Sequence, residues 1–185
     1  MKAIFDNLSY ECSKYTTNLY STSFSLGIKV LAREMRKPIY NLYGFVRLAD
    51  EIVDTFHDYD KKELFNRFKK DTINAIDERI SLNPILNSFQ QTVHDYNIEW
   101  DLIATFLNSM EMDLKEQLYD EEKYKLYILG SAEVVGLMCL KIFVNGDSKS
   151  YQELKPYAMK LGSAFQKINF LRDFNSDFEG LGRTY

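Results

Sequence analysis

Only three prolines and eight glycines punctuate the 185 residues. Between them, apolar side chains recur at helical rather than alternating spacing. Trp100, Leu102, Ile103, Phe106, Leu107, Met110 and Leu114 illustrate the pattern, which predicts a helix from about Glu99 to Leu118. Start and stop signals agree with it. Pro38 suits the first turn of a helix running to about Phe56. Asp60 followed by Glu63 is a capping-box-like start for 61–80, and Asn83-Pro84 starts another helix. A further segment runs from about Glu121 to Val144 and is closed by Asn145-Gly146. The last helix covers about 150–178, followed by a Gly-Leu-Gly loop. No alternating run is long enough for a sheet. The expected fold is a single all-α domain over 1–185, of roughly seven helices around a core or cavity.

Composition narrows the function. Net charge is −4 and no basic block stands out, which argues against nucleic acid as a partner, because phosphate backbones need clustered Lys and Arg. Cys12 and Cys139 are the only cysteines, and His57 and His94 the only histidines. They support neither a disulfide framework nor a zinc site, and the default location is a reducing cytoplasm. The N-terminus lacks the long apolar run of a signal peptide. The oiliest segment, 132–144, carries Glu133 and Lys141 and reads as a buried helix too short to span a membrane. The chain has 13 Tyr and 13 Phe, enough to build both a core and a wall around a large apolar ligand.

Two segments break the oily pattern in the same way. On a helix at about 100° per residue, Tyr43, Arg47, Asp50 and Asp54 fall within about 60° of one another. Leu42, Phe45, Val46, Ala49, Ile52 and Val53 fill much of the remaining circumference. Gln166, Asn169, Asp173 and Asp177 form a second stripe within about 80°. The plain reading is two solvated faces, since amphipathic helices are the norm. Against it, the stripes hold no Lys, and acids four apart repel. The same DxxxD spacing also occurs twice, as DEIVD and DFNSD. Four converging carboxylates would repel at roughly 4 kcal/mol per close pair at intermediate dielectric. They must hold protons or cations. Hard cations with oxygen ligands fit: Mg²⁺ takes one or two carboxylates and prefers phosphate oxygens for the rest. A glycosidase-type acid/base pair is a weaker rival, because it needs no matched pairs at helical spacing.

At these residues the chain resembles the squalene/phytoene synthases, which join two prenyl diphosphates head to head. The resemblance rests on STSFSLGIKVL (21–31), YGFVRLADEIVD (43–54), YILGSAEVVG (127–136) and FQKINFLRDFNSDFEGLGRTY (165–185), in that order. It implies an isoprenoid-synthase helical bundle and metal-dependent ionisation of allylic diphosphates. Asp50 and Asp54 match the first acidic motif, and Asp173 and Asp177 the second. Asn169 joins them as a ligand of Mg²⁺, or of Mn²⁺ in its place, and Gln166 lines the site. Arg47, Arg183 and Tyr185 match positions that grip diphosphate. Ser21 and Ser23 match the serine segment at the same pocket, and Tyr43 and Tyr127 line the reaction centre. Rival readings are that Ser21 only caps a helix, and that the two tyrosines are core residues.

The chain departs from the family pattern in two places. Glu51 stands where a second adjacent Asp is common, keeping the charge on a longer arm. The sequence also ends at Tyr185, where family members continue into further helices. The expectation is therefore a family domain without its C-terminal third, with apolar cavity surface left exposed to dimerisation. The implied reaction makes phytoene from two geranylgeranyl diphosphates, in carotenoid biosynthesis. Squalene or dehydrosqualene from farnesyl diphosphate is the alternative, and NADPH enters only for squalene. An oily product makes peripheral membrane contact expected. A non-catalytic helical module that binds lipid or a partner chain is the competing class.

Overall fold

The computed structural model describes residues 1–114 and 120–176, with side chains to 172 in the last helix. Nine α-helices and one π-helical turn account for nearly all of the described residues, and no strand occurs among them. In chain order they are α1 (Lys2–Tyr20), α2 (Thr22–Val30), α3 (Arg33–Asp54), α4 (Lys61–Glu78), α5 (Pro84–Asp95), α6 (Trp100–Asp113), α7 (Glu121–Ile128), the π turn (Leu129–Glu133), α8 (Val134–Val144) and α9 (Ser148–Ser176). They form two compact units. One comprises Met1–Ile98 with Lys141–Gly146; the other comprises Glu99–Leu140 with the described residues from Asp147 onward.

Local chemistry sets the helix ends. The Asp60 carboxylate accepts from the Glu63 N–H at 2.9 Å, and Asn83 Oδ1 accepts from the Ile85 N–H at 3.0 Å, as the capping signals predict. Asn145 (φ 46°) and Gly146 (φ 88°) turn the chain left-handed after α8. One boundary differs from expectation. Helix α3 begins at Arg33, so Pro38 lies inside it rather than in its first turn. The proline removes one N–H from the helical ladder, and burial of Pro38, Ile39 and Tyr40 on that turn offsets the loss.

In the first unit α1, α3 and α5 pack on one another, with α4 against α3 and α5, and α2 against α1 and α3. The core is aromatic. Phe45 stacks face to face on Phe89 at 3.8 Å and lies 5.6 Å from Phe68. Helix α1 joins this core through small polar residues. Ser9, Ser13 and Thr17, each four apart, are fully buried. Ser13 Oγ shares a 2.7 Å hydrogen bond with Ser88 Oγ, and Asn87 Nδ2 donates to Ser9 Oγ at 3.0 Å. Short side chains let the backbones approach, and each hydroxyl finds a partner. The oily side chains of α1, among them Ile4, Leu8, Tyr15 and Leu19, are exposed.

In the second unit the π turn is the hub, packed against α6, α7 and α9. Glycines make this closeness feasible. A Cβ on Gly130 would lie 2.5 Å from Ser109 Cβ, and one on Gly162 would lie 2.7 Å from the Ala132 carbonyl oxygen. The run Glu121–Val144, which includes the π turn, is longer than the 132–144 segment singled out in the sequence. By length and composition it is apolar enough to cross a membrane. Yet Ile128, Val134, Leu137, Met138 and Ile142 are buried within the protein, the pattern of a core helix.

Candidate functional site

Helix α3 displays its polar stripe where the sequence predicts it. Tyr43, Arg47, Asp50 and Asp54 are all half-buried, while Leu42, Phe45, Ala49, Ile52 and Val53 beside them are buried. The acids are therefore not on a freely solvated face. The backbone end of this helix is held by Lys61, whose Nζ donates to the Val53 carbonyl at 2.8 Å.

Arg47 is the most constrained member of the stripe. Its Nη2 donates to Glu51 Oε2 at 2.6 Å, and its guanidinium lies 4.4 Å from the centre of the Tyr20 ring. Its Nε is buried and has no hydrogen-bond partner. Burial works against the guanidinium charge, but the Glu51 hydrogen bond and the nearby Asp50 and Glu51 charges outweigh it, so the pKa is raised further. Glu51 itself is desolvated, yet the donors around it, Arg47, Thr55 and Tyr20, hold its carboxyl below the usual range. Glu51 thus serves Arg47 directly.

Tyr43 connects the stripe to the start of α2. Its ring stacks on Phe24 at 4.4 Å. Burial raises its phenol pKa, opposed by the nearby Ser21 side chain and by Arg47. Ser21 is also the N-cap of α2, accepting from the Phe24 N–H at 3.2 Å, so the capping role read from the sequence is real and coexists with its place beside Tyr43. Ser23 is exposed on α2, and no hydrogen bond among the described residues joins it to this group.

The second unit carries the other stripe. On α9, Gln166 and Asn169 are half-buried and share a face with Gly162, which abuts Ala132 of the π turn. Asp173 continues that face by helical register. The opposite side is oily and exposed: Leu161, Phe165, Ile168 and Leu171 are each more than half accessible, Leu171 at 75%. This inverts the usual arrangement of a surface helix. Tyr127 is buried, and its hydroxyl donates to Asp113 Oδ2 at 2.9 Å. Its ring lies 6.0 Å from that of Phe170 on α9. The Asp173 side chain, Asp177, Arg183 and Tyr185 lie outside the described residues.

Three participants were missed in the sequence: Tyr20, the commitment of Glu51 to Arg47, and Asp113. The Arg47–Glu51 pair was readable from its i,i+4 spacing. Tyr20 and Asp113 meet their partners across helices, where spacing gives no signal. Among the described residues no group of three or more His, Cys, Asp or Glu side chains is assembled for a metal. Within the first unit the donor chemistry of α3 fits a hard divalent cation: Asp50 and Asp54 offer half-buried carboxylates four apart.

Comparison with known proteins points one way. Residues 17–185 match the family described as squalene/phytoene synthase. A 4,4'-diapophytoene synthase of Staphylococcus haemolyticus is 25% identical over 191 residues, covering 100% of this chain and 64% of the relative. A phytoene synthase of Mycobacterium tuberculosis is 25% identical over 183 residues, covering 96% of this chain and 57% of the relative. The crystal structure of squalene synthase HpnC from Alicyclobacillus acidocaldarius aligns with a TM-score of 0.85 at 23% identity, over 98% of this chain and 67% of that one. That likeness is one of fold. The chain spans about three fifths of the length of these two curated relatives.

Proposed function

The chain belongs to the squalene/phytoene synthase family, and from that premise we propose that it carries the diphosphate-binding part of a head-to-head prenyltransferase. The observation that carries this reading is the inversion on α9, where polar Gln166 and Asn169 are kept half-buried while oily residues face outward. Polar groups held inward need hydrogen-bond partners, and a diphosphate with its cation can supply them. The matching stripe on α3, with its half-buried acids and clamped arginine, supports the same conclusion.

In this mechanism Arg47 offsets charge developing on the leaving diphosphate, where preorganised cationic donors act most strongly. Ser21, Ser23, Arg183 and Tyr185 complete the anion-binding set. Asp50, Asp54, Asn169, Asp173 and Asp177 would hold Mg²⁺, which would supply Lewis-acid stabilisation of the diphosphate oxygens. The first substrate loses its diphosphate to give an allylic cation; the double bond of the second attacks it, and loss of a proton to the released diphosphate closes a cyclopropyl diphosphate. Loss of the second diphosphate, rearrangement and loss of a second proton give the linear hydrocarbon. Tyr43, Tyr127 and Gln166 line the reacting carbons. The aromatic faces stabilise cationic charge, and apolar walls exclude water.

We assign geranylgeranyl diphosphate as substrate and phytoene as product, formed in the cytoplasm at the membrane surface that receives the oily product. The likeness to a diapophytoene synthase favours a second reading, in which two farnesyl diphosphates are joined. The test is to incubate the chain with each diphosphate and Mg²⁺, then analyse extracted hydrocarbons. Phytoene from the C20 substrate is the expected result. Product only from the C15 substrate selects the second reading. No product from this chain, and none from a version extended to the length of its relatives, overturns the assignment.

A further inference from the structure

Arg47 is held from two sides by residues that the catalytic scheme does not use. Tyr20, the last residue of α1, lays its ring 4.4 Å from the guanidinium centre. Glu51, one turn along α3, receives Arg47 Nη2 at 2.6 Å. The same carboxylate lies near the Thr55 and Tyr20 side chains, which help to hold its pKa down, and only 14% of the Glu51 side chain remains accessible. The ring, carboxylate and guanidinium therefore form one set spanning the end of α1 and the middle of α3. Arg47 Nε, buried and without a partner, is a donor that the set leaves unused. A buried unpaired donor is disfavoured unless a ligand satisfies it.

We propose that Tyr20 and Glu51 are positioning residues that clamp Arg47 in one orientation, with its remaining N–H donors ready for the anionic group of the substrate. This rests on the reading that Arg47 meets a diphosphate. The advantage is entropic. A free arginine loses several rotatable bonds on binding an anion, whereas a clamped one has lost them already. The clamp also reaches the anion-binding serine segment. Tyr20 directly precedes Ser21, the N-cap of α2, and Ser21 lies near Tyr43, one turn before Arg47. Fixing the Tyr20 ring therefore fixes Ser21 relative to Arg47. Glu51, which the sequence places next to Asp50 as an extra acid, becomes a support for the cation.

The test measures inorganic pyrophosphate binding by calorimetry, with Mg²⁺, on the 185-residue chain. Tyr20→Leu and Glu51→Gln each weaken binding about tenfold, whereas Tyr20→Phe, which keeps the ring over the guanidinium, stays within about threefold. On an Arg47→Met background the Tyr20→Leu and Glu51→Gln changes each alter binding less than about twofold, because what they position is gone. Equal weakening on both backgrounds, or none on the native one, overturns the proposal. A second readout needs no ligand. The Nε–Hε resonance of Arg47, assigned by its loss in Arg47→Lys, is sharp and shows slow guanidinium rotation in the native chain. Both properties are lost in Tyr20→Leu. A native chain that binds no pyrophosphate refutes the diphosphate reading, and freely rotating Arg47 in that chain refutes the clamp.

Discussion

Asp50 and Asp54 sit at an intermediate depth that suits ligand work better than stability. A pair of acids four apart on one helix repels, and half-burial strengthens that repulsion by lowering the local dielectric. The neighbouring Arg47 carries the opposite charge and interacts with Asp50. Replacing Asp50 by Asn removes one charge while keeping shape. The expected outcome is a fall in turnover of about 10²–10³, the scale of losing one group aimed at transition-state charge. It is measured on the active form of the enzyme, with far-UV circular dichroism unchanged. Native turnover in Asp50→Asn would remove Asp50 from the chemistry.

At the scale of the element, the π turn Leu129–Glu133 decides how the second unit is assembled, and it makes two separable predictions. Gly162→Ala places a Cβ 2.7 Å from the Ala132 carbonyl oxygen. Backbone cannot yield as a flexible side chain does, so the variant loses about 1–3 kcal/mol in urea unfolding. Gly27 in α2 has nothing within 4 Å of an added Cβ, and Gly27→Ala gains up to about 1 kcal/mol from helix propensity. Two variants of the same chemistry thus move in opposite directions. The second prediction concerns Glu133. Burial raises its pKa above the ordinary 4.5, and the Lys167 charge offsets only part of the shift. A folded-state pKa above the unfolded value means that the folded chain favours the protonated acid. The stabilising contribution is full below pH 4.5 and is lost as pH rises through the higher folded-state value. Glu133→Gln is therefore more stable than the native chain at pH 7, and the gap narrows toward pH 4. A gap that stays constant with pH would mean that Glu133 ionises as freely in the folded state as in the unfolded one. Neither effect could be read from the sequence. The periodicity and caps of α4, α5 and α9 were legible because they are local, written in Asp60, Asn83 and the i, i+3, i+4 rows. The same holds for the two polar stripes, which need only 3.6 residues per turn to emerge. The π turn interrupts a segment whose apolar pattern runs straight through it, and it lies where Gly130 closely approaches Ser109 of α6 and Gly162 of α9 closely approaches Ala132. Likewise α1 buries Ser9, Ser13 and Thr17 rather than its oily face, a choice made by partners far along the chain.

For the molecule as a whole, the decisive surface is the outward face of α9. Leu154, Tyr157, Leu161, Phe165, Ile168 and Leu171 fall within about 120° on one helix, and all are exposed. Single exposed apolar residues are ordinary, but a continuous row of this length is a large unpartnered patch for a soluble chain. Burying such residues gains about 25 cal/mol per Å² of apolar surface, so a second copy laid on this row would be stabilised by the contact. Sedimentation of the chain over a range of concentrations should show reversible self-association. The double variant Leu161→Glu, Phe165→Glu should sediment as a monomer at every concentration, since opposing two carboxylates across the contact adds repulsion to lost burial. Because both side chains project into solvent, at 59% and 64% accessibility, helicity and thermal midpoint are expected to stay at native values. Self-association that persists unchanged in the variant would move the contact elsewhere, with the exposed row of α1, Ile4, Leu8, Tyr15 and Leu19, as the next surface to alter.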